Sequence, residues 1–219
     1  MHPVLRLYED VLASAEKIEL RLPPVPRFIF VVHGSAAIGE ETVREGEAWQ
    51  GDTAVKIKPG ATGVTCWRWE LARGDQGSTT ANAPGMVTHE KLTAFLETLP
   101  KGDLLMRGDS VAFPPGGCAY LHSHQGPGIR CLIEGGIRID THGRSTSYGP
   151  GGAWYESGPD AVFAQGAVDR PSRFIRVMVL PRALLGKSSI EYVNEADKAK
   201  PKSQSYKIFA DIPIAFRAS

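Results

Sequence analysis

The sequence predicts an all-β protein made of two tandem β-barrels, with a short N-terminal helix and a second helix joining the barrels. Three observations predict this. Apolar and polar residues alternate in short runs through most of the 219 residues, as in half-buried strands. The 24 glycines and 16 prolines are spread along the chain, which marks frequent turns rather than disorder. Finally, one arrangement of strands occurs twice.

Taken in order, "HPVLRLYEDVLASAEKIE" places Val4, Tyr8, Val11 and Ala15 at helical spacing, with Pro3 near the first turn; this predicts an amphipathic helix. From Ile18 the period changes to two. "IELRL", "RFIFVV" (27–32), "TAVKIKPG" (53–60) and "GVTCWRWEL" (63–71) read as strands separated by turns. "ARGDQGSTTANAPG" (72–85) reads as an irregular linker. "THEKLTAFLETLP" (88–100) then carries Leu92, Phe95, Leu96 and Leu99 on one helical face. Strands resume at 103–113, 118–124, 128–134, 136–140, 145–148, 152–156, 161–165 and 173–180. The polar end, including "DKAKPKSQSYKIF", reads as an arm on a surface or a solvated tail. The expected domains are therefore a barrel over 1–84, a helical linker over 85–102, a second barrel over 103–182 and an arm over 183–219.

The repeat rests on order and spacing. "FIFVVHGSAAIG" (28–39) matches "IRCLIEGGIRID" (129–140), and "GEAW" (46–49) matches "GGAW" (151–154). "RWEL" (68–71) closes the first half as "RVMVL" (176–180) closes the second. Duplicated β-barrels produce such a pattern.

Composition narrows the function. A net charge of +1 with 22% charged residues argues against nucleic acid or an acidic membrane as partner. No run is long enough to span a bilayer as a helix, and the N-terminus lacks a signal-peptide apolar segment. Three cysteines, an odd and small number, suit a reducing compartment. The expectation is a cytoplasmic protein that binds a small molecule, and a homodimer, because barrels of this kind leave sheet edges that a partner subunit covers.

One stretch carries candidate chemistry: "YLHSHQGPGIRCLIEGGI" (120–137). His122 and His124 are two residues apart, so they share one face of a strand. In an unbulged strand Tyr120 and Cys118 share that face. On the next strand Gly128, Arg130 and Leu132 share one face, which the family resemblance given below implies is the inward one. A buried guanidinium needs an anion, which Glu156, Asp160 or the carboxylate of a bound ligand would supply. As a metal site, His122 and His124 need a third ligand, for which Glu156 is the first candidate and Gln125 and Gln165 follow. As a metal-free site, His122 or His124 beside Tyr120 would perform general acid–base work. Trp154 is a further candidate for lining the pocket. A third reading leaves the histidines as relics in a barrel that only binds or senses a ligand.

With these residues in view, the second half resembles the cupin superfamily of jelly-roll barrels, in which Gly, His-x-His, Glu and Gly are spaced along a first motif. Gly116, His122, His124 and Gly135 match it, and "YGPGGAWYESGPDAVFA" (148–164) resembles the second motif. The likeness implies a metal held by three histidines and a glutamate. Here the glutamate position falls at Gly128 and the third histidine at or near Val162; in the first half Arg21 and Pro23 stand at the histidine positions. The expectation is a metal-dependent enzyme acting on a small organic acid, with Tyr120, His122 and His124 as catalytic residues, His122, His124 and Glu156 holding Fe, Mn, Ni or Zn, and Arg130 and Trp154 against the substrate. The alternatives are a non-catalytic binding or sensing cupin and a metal-free epimerase or isomerase.

Overall fold

The computed structural model describes residues 2–74 and 79–216. Met1, residues 75–78 of the expected linker and the last three residues lie outside the description. The chain divides into two compact units, Met1–Glu97 with the residues from Ile214, and Thr98–Pro213.

The first unit is a single eight-stranded antiparallel sheet: β1 (Pro3–Leu12), β2 (Leu20–Leu22), β3 (Arg27–Ile38), β4 (Glu41–Arg44), β5 (Ala48–Gly51), β6 (Val55–Arg73), β7 (Asn82–Ala83) and β8 (Met86–Phe95). Both expected helices are strands. β1 pairs with β6 on one side and β8 on the other. Residues on both of its faces are buried, so apolar residues fill seven of its ten positions and helical spacing arises by default. In β8 the register against β1 shifts beside Leu7. Ala94 and Leu96 are buried while Phe95 is 65% exposed. The spacing of Leu92 and Leu96 fits a helix and a strand alike, and pairing along β1 decides between them. Leu20, Leu22, Ile29, Val31, Ile38, Ile57 and Val64 form the core. Beside it lies a buried ionic network. Arg27 donates twice to Glu70 Oε1, at 2.9 and 2.8 Å, and Arg68 donates to Asp10 at 2.6 and 3.1 Å.

The second unit is a two-layer β-barrel. Its strands are β9 (Leu104–Phe113), β10 (Cys118–His124), β11 (Gly128–Glu134), β12 (Ile137–Thr141), β13 (Arg144–Tyr148), β14 (Ala153–Glu156), β15 (Val162–Gly166), β16 (Ser172–Pro181), β17 (Ile190–Tyr192) and β18 (Ser205–Ile214). One sheet runs β13-β12-β15-β10-β17, the other β14-β11-β16-β9-β18. Val111, Phe113, Leu132 and Phe174 from one layer pack on Ala119, Ile139, Val162 and Ala164 from the other. Among the described residues, helix is confined to Glu195–Lys198 and a 3-10 turn at Arg182–Leu184. None is long and apolar enough to cross a membrane.

The pairing pattern of the first unit recurs in the second. β3 pairs with β4, β5 and β6, as β11 and β12 together pair with β13, β14, β15 and β16. Trp49 stands opposite Ile29 and Trp154 opposite Arg130. Likewise β8 flanks β1 as β18 flanks β9.

Candidate functional site

The site lies between the two layers of the second unit. Gly116, at φ 72°, makes the turn into β10 that only a residue free of a Cβ enters without strain. His122 and His124 then point inward, both buried, with ring centroids 4.9 Å apart. Below them the register against β15 shifts between Ala119 and His122. This bulge reverses the strand's parity. Ala119, not Tyr120 or Cys118, shares the inward face. The Tyr120 ring instead lies 4.8 Å from Lys200 Nζ and 5.4 Å from Lys202 Nζ, so its expected catalytic place is corrected. Cys118 is half-buried, its backbone N–H donating to Ser203 Oγ at 3.0 Å.

The carboxylate comes from β14. Glu156 stands directly opposite Gly128, the position where the cupin motif would carry its glutamate. A Cβ at Gly128 would lie 3.1 Å from Arg130 Nη1 and 2.8 Å from Met178 Cγ. The tightest approach is to the Val177 backbone carbonyl oxygen, at 2.4 Å, so β16 itself excludes a side chain at 128, and the guanidinium of Arg130 lies beside that position. Its Nη1 donates to the Gly128 carbonyl at 2.7 Å, and its Nη2 lies 2.7 Å from Glu156 Oε2. Of the anions considered for Arg130, Glu156 is the one present. Asp160 instead lies at the surface, accepting from Ser157 Oγ and 3.4 Å from His142. Trp154 lines the same interior and donates from Nε1 to Glu156 Oε1 at 2.9 Å. Tyr148 stacks on it, ring centroids 5.0 Å apart. Gln165 is spent on backbone carbonyls of residues 116, 117 and 166.

Two residues were missed by the sequence reading. Arg176 on β16 donates to Asp109 on β9 at 2.9 and 2.7 Å, and its Nη1 lies 3.4 Å from His124 Nε2. The signal was present: Asp109 and Arg176 are charges set in largely apolar strands. A charge at such a position needs a partner across the sheet.

These contacts fix the protonation. The Tyr120 carbonyl, 2.7 Å from His122 Nδ1, can only accept, so Nδ1 carries the proton and Nε2 presents a lone pair. Arg176 can only donate, so His124 Nε2 is likewise the lone-pair nitrogen, leaving Nδ1 to face Ser189 Oγ at 3.3 Å. Burial pushes the His122 pKa down, and that of His124 well down, where Arg176 and Arg130 add to the effect. Burial also lowers Arg130 to about 10 despite Glu156. For Arg176 burial works the same way, but Asp109 outweighs it and raises the pKa. At neutral pH the interior therefore holds two neutral imidazoles, with Arg130 beside Glu156 and Arg176 beside Asp109.

The ligand atoms of His122, His124 and Glu156 lie within 4.8 Å of one another. Two imidazoles and a carboxylate suit a divalent transition metal. Each imidazole turns its outer nitrogen to an oxygen and its lone pair inward, as metal-bound histidines do. The donor set thus fits a metal ion. The enclosed space beside it is about 20 Å³, enough for one ion or one water.

No family model matches the chain, and no curated protein matches it. Solved structures do. A variant of oxalate decarboxylase from B. subtilis is 12% identical, with a TM-score of 0.59 over 90% of this chain and 73% of that one. AerE from Microcystis aeruginosa is 12% identical, with a TM-score of 0.57 over 83% of this chain and 89% of that one. A cupin 2 conserved barrel domain protein from Leptotrichia buccalis is 14% identical, with a TM-score of 0.49. At such identities the likeness concerns backbone alone, and what it shows is that this chain has the cupin fold.

Proposed function

We propose that the protein is a metal-dependent cupin enzyme acting on a small organic acid. The observation that carries the reading is the inward-facing trio of His122, His124 and Glu156, with both imidazoles neutral and both outer nitrogens anchored. When bound, Fe, Mn, Ni or Zn would supply Lewis acidity or a site for oxygen or water, which leaves oxygenation, isomerisation and hydrolysis open. Charge supports an acid as substrate. Arg130 and Arg176 balance Glu156 and Asp109 in the protein alone. A dication added to that balance leaves positive charge for an anionic ligand to neutralise. Fold likeness to an oxalate decarboxylase is compatible with this and adds no chemistry of its own.

A second reading is a binding or sensing cupin without metal. It is favoured by one observation: guanidinium nitrogens already stand at Glu156 Oε2 and His124 Nε2, where a metal would bind.

Metal analysis separates the two. Protein expressed with supplemented Mn, Fe, Ni or Zn should hold about one equivalent per chain, lost in His122→Ala and His124→Ala. Protein that stays metal-free after supplementation and after titration with each ion would remove the enzyme reading in favour of the second.

A further inference from the structure

The interior beside the histidines admits only about 20 Å³. An organic acid therefore needs other room. That room exists in the same unit. A second cavity of about 240 Å³ shares His124, Arg176, Ile190 and Tyr206 with the interior and adds Ile208 from β18. By the same measure it is about twelve times the space beside the histidines, room for a small organic ligand.

Three observations mark this chamber as built for an amphipathic anion. Its floor is charged. Of the five N–H groups of Arg176, two bond Asp109 and one faces His124. Two are left for an anionic headgroup, which a guanidinium binds with its fork. Its outer wall is apolar and uncovered: Tyr206 is 50% and Ile208 55% exposed, on the face of β18 that looks into the chamber. The wall is also held in place. Arg107 donates to Asp211 at 3.0 and 2.8 Å and to the carbonyls of Lys187 and Leu184, both at 2.7 Å. Asp211 also accepts from the Gly186 backbone N–H at 2.8 Å. This clasp ties β18 to the loop before β17, so the chamber exists before a ligand arrives.

We infer that the chamber walled by β18 is the ligand-binding subsite, taking a small monoanion with its acidic head on Arg176 and an apolar body against Ile190, Tyr206 and Ile208. This rests on the proposed small-acid function and extends it from the metal trio to a second set of residues. A polar acid with no apolar part would leave the isoleucines and the tyrosine ring facing water, so the chamber selects against it.

Benzoate, hexanoate, the fully polar acid malonate and the uncharged benzamide serve as probes. Each is titrated by calorimetry into chelator-treated protein and into Mn-treated protein. Benzoate or hexanoate should bind, while malonate and benzamide bind more than about tenfold more weakly. Ile208→Trp, which fills the chamber, should weaken benzoate more than about tenfold. Tyr206→Ala should remove the preference for the apolar acids. Both positions are half-exposed, and unchanged circular dichroism and unchanged Mn binding would confirm intact protein. Two results would overturn the inference: no binding of benzoate or hexanoate to the wild type in either form, or equal binding by wild type and Ile208→Trp. The metal reading fails separately. Absent Mn binding with Ile208→Trp-sensitive benzoate binding removes the metal and keeps the chamber, whereas Mn binding with Ile208→Trp-insensitive probes does the reverse.

Discussion

At the scale of single residues, the site turns on Arg130. The second unit resembles a metal-binding barrel, yet one of its inward positions carries a permanent cation. The structure accounts for this through Gly128. The β16 backbone leaves no room for a side chain there, and the guanidinium lies against the glycine, while Glu156, one strand over and in register, supplies the carboxylate that Gly128 lacks. The pair is interdependent. Arg130→Leu would leave Glu156 as a buried charge without its counter-ion, a loss of about 3–5 kcal/mol, whereas the double variant with Glu156→Leu should recover most of it, because apolar replacement of a whole buried pair is close to neutral. Denaturant unfolding of the metal-free protein measures both. A single variant as stable as wild type would show that the pair contributes nothing. Arg130 was legible from the cupin resemblance, which sets an inward position at Gly128, and from parity along β11, which has no irregularity before Arg130. Tyr120 was misplaced because one inserted residue in β10 inverts the faces, and a bulge without a signature glycine leaves no mark in the residues themselves.

At the scale of elements, edges decided what periodicity left open. β1 and β8 carry helical spacing, and both are strands because β6 offers a pairing edge to β1, and β1 in turn to β8. A single sequence does not state which edges are vacant. The strands from β9 to β16 were legible to within about a residue, but β17 and β18 lie where the sequence reads as a polar arm or tail, because their side chains are exposed or half-buried and only pairing with β10 and β9 makes them strands. β18 is the counterpart in position of β8, and both extend a sheet past its first strand. Where the pairing recurs, the side chains differ: Ile29 stands opposite Trp49 where Arg130 faces Trp154, and Gly51 opposite Arg27 where Glu156 faces Gly128. The clasp on β18 makes a prediction of its own. Asp211→Ala removes the charge-assisted bonds from Arg107 and should cost about 1.5–3 kcal/mol locally. Hydrogen exchange over 205–214 should accelerate while β11 and β16 keep their protection. Unchanged exchange in β18 would mean that its sheet pairing, not the clasp, holds the strand.

At the scale of the whole molecule, the two units differ in how they use buried charge. In the first, Arg27 and Arg68 surround Glu70 and Asp10 and bond them directly. In the second, the corresponding arginine on the closing strand, Arg176, keeps donors free at a chamber. The first network carries a pH signature. Burial opposes the ionised Glu70, but Arg68 and Arg27 outweigh it and hold its pKa below 4.5. The unfolded chain then binds the proton more readily than the folded one. The stabilisation is complete above pH 4.5 and is lost as pH falls from there through the folded-state value. Trp49, Trp67 and Trp69 lie in the first unit, so tryptophan fluorescence should report a denaturant midpoint that drops between pH 5 and pH 3. Glu70→Gln should flatten that dependence, and a wild-type midpoint constant over this range would contradict the role given to Glu70.

The sequence by itself determined the all-β class, the strands from β9 to β16 to within about a residue, and the shared face of His122 and His124, because alternation and turn residues are local properties of the chain. Tertiary structure decided that the two helix-like segments are strands, that Tyr120 faces away from the site, that Glu156 and Asp109 neutralise the two arginines, and that β18 walls a chamber beside them. Each of these depends on which strand lies beside which, and that is settled only when buried charges and unpaired edges find partners far away in sequence.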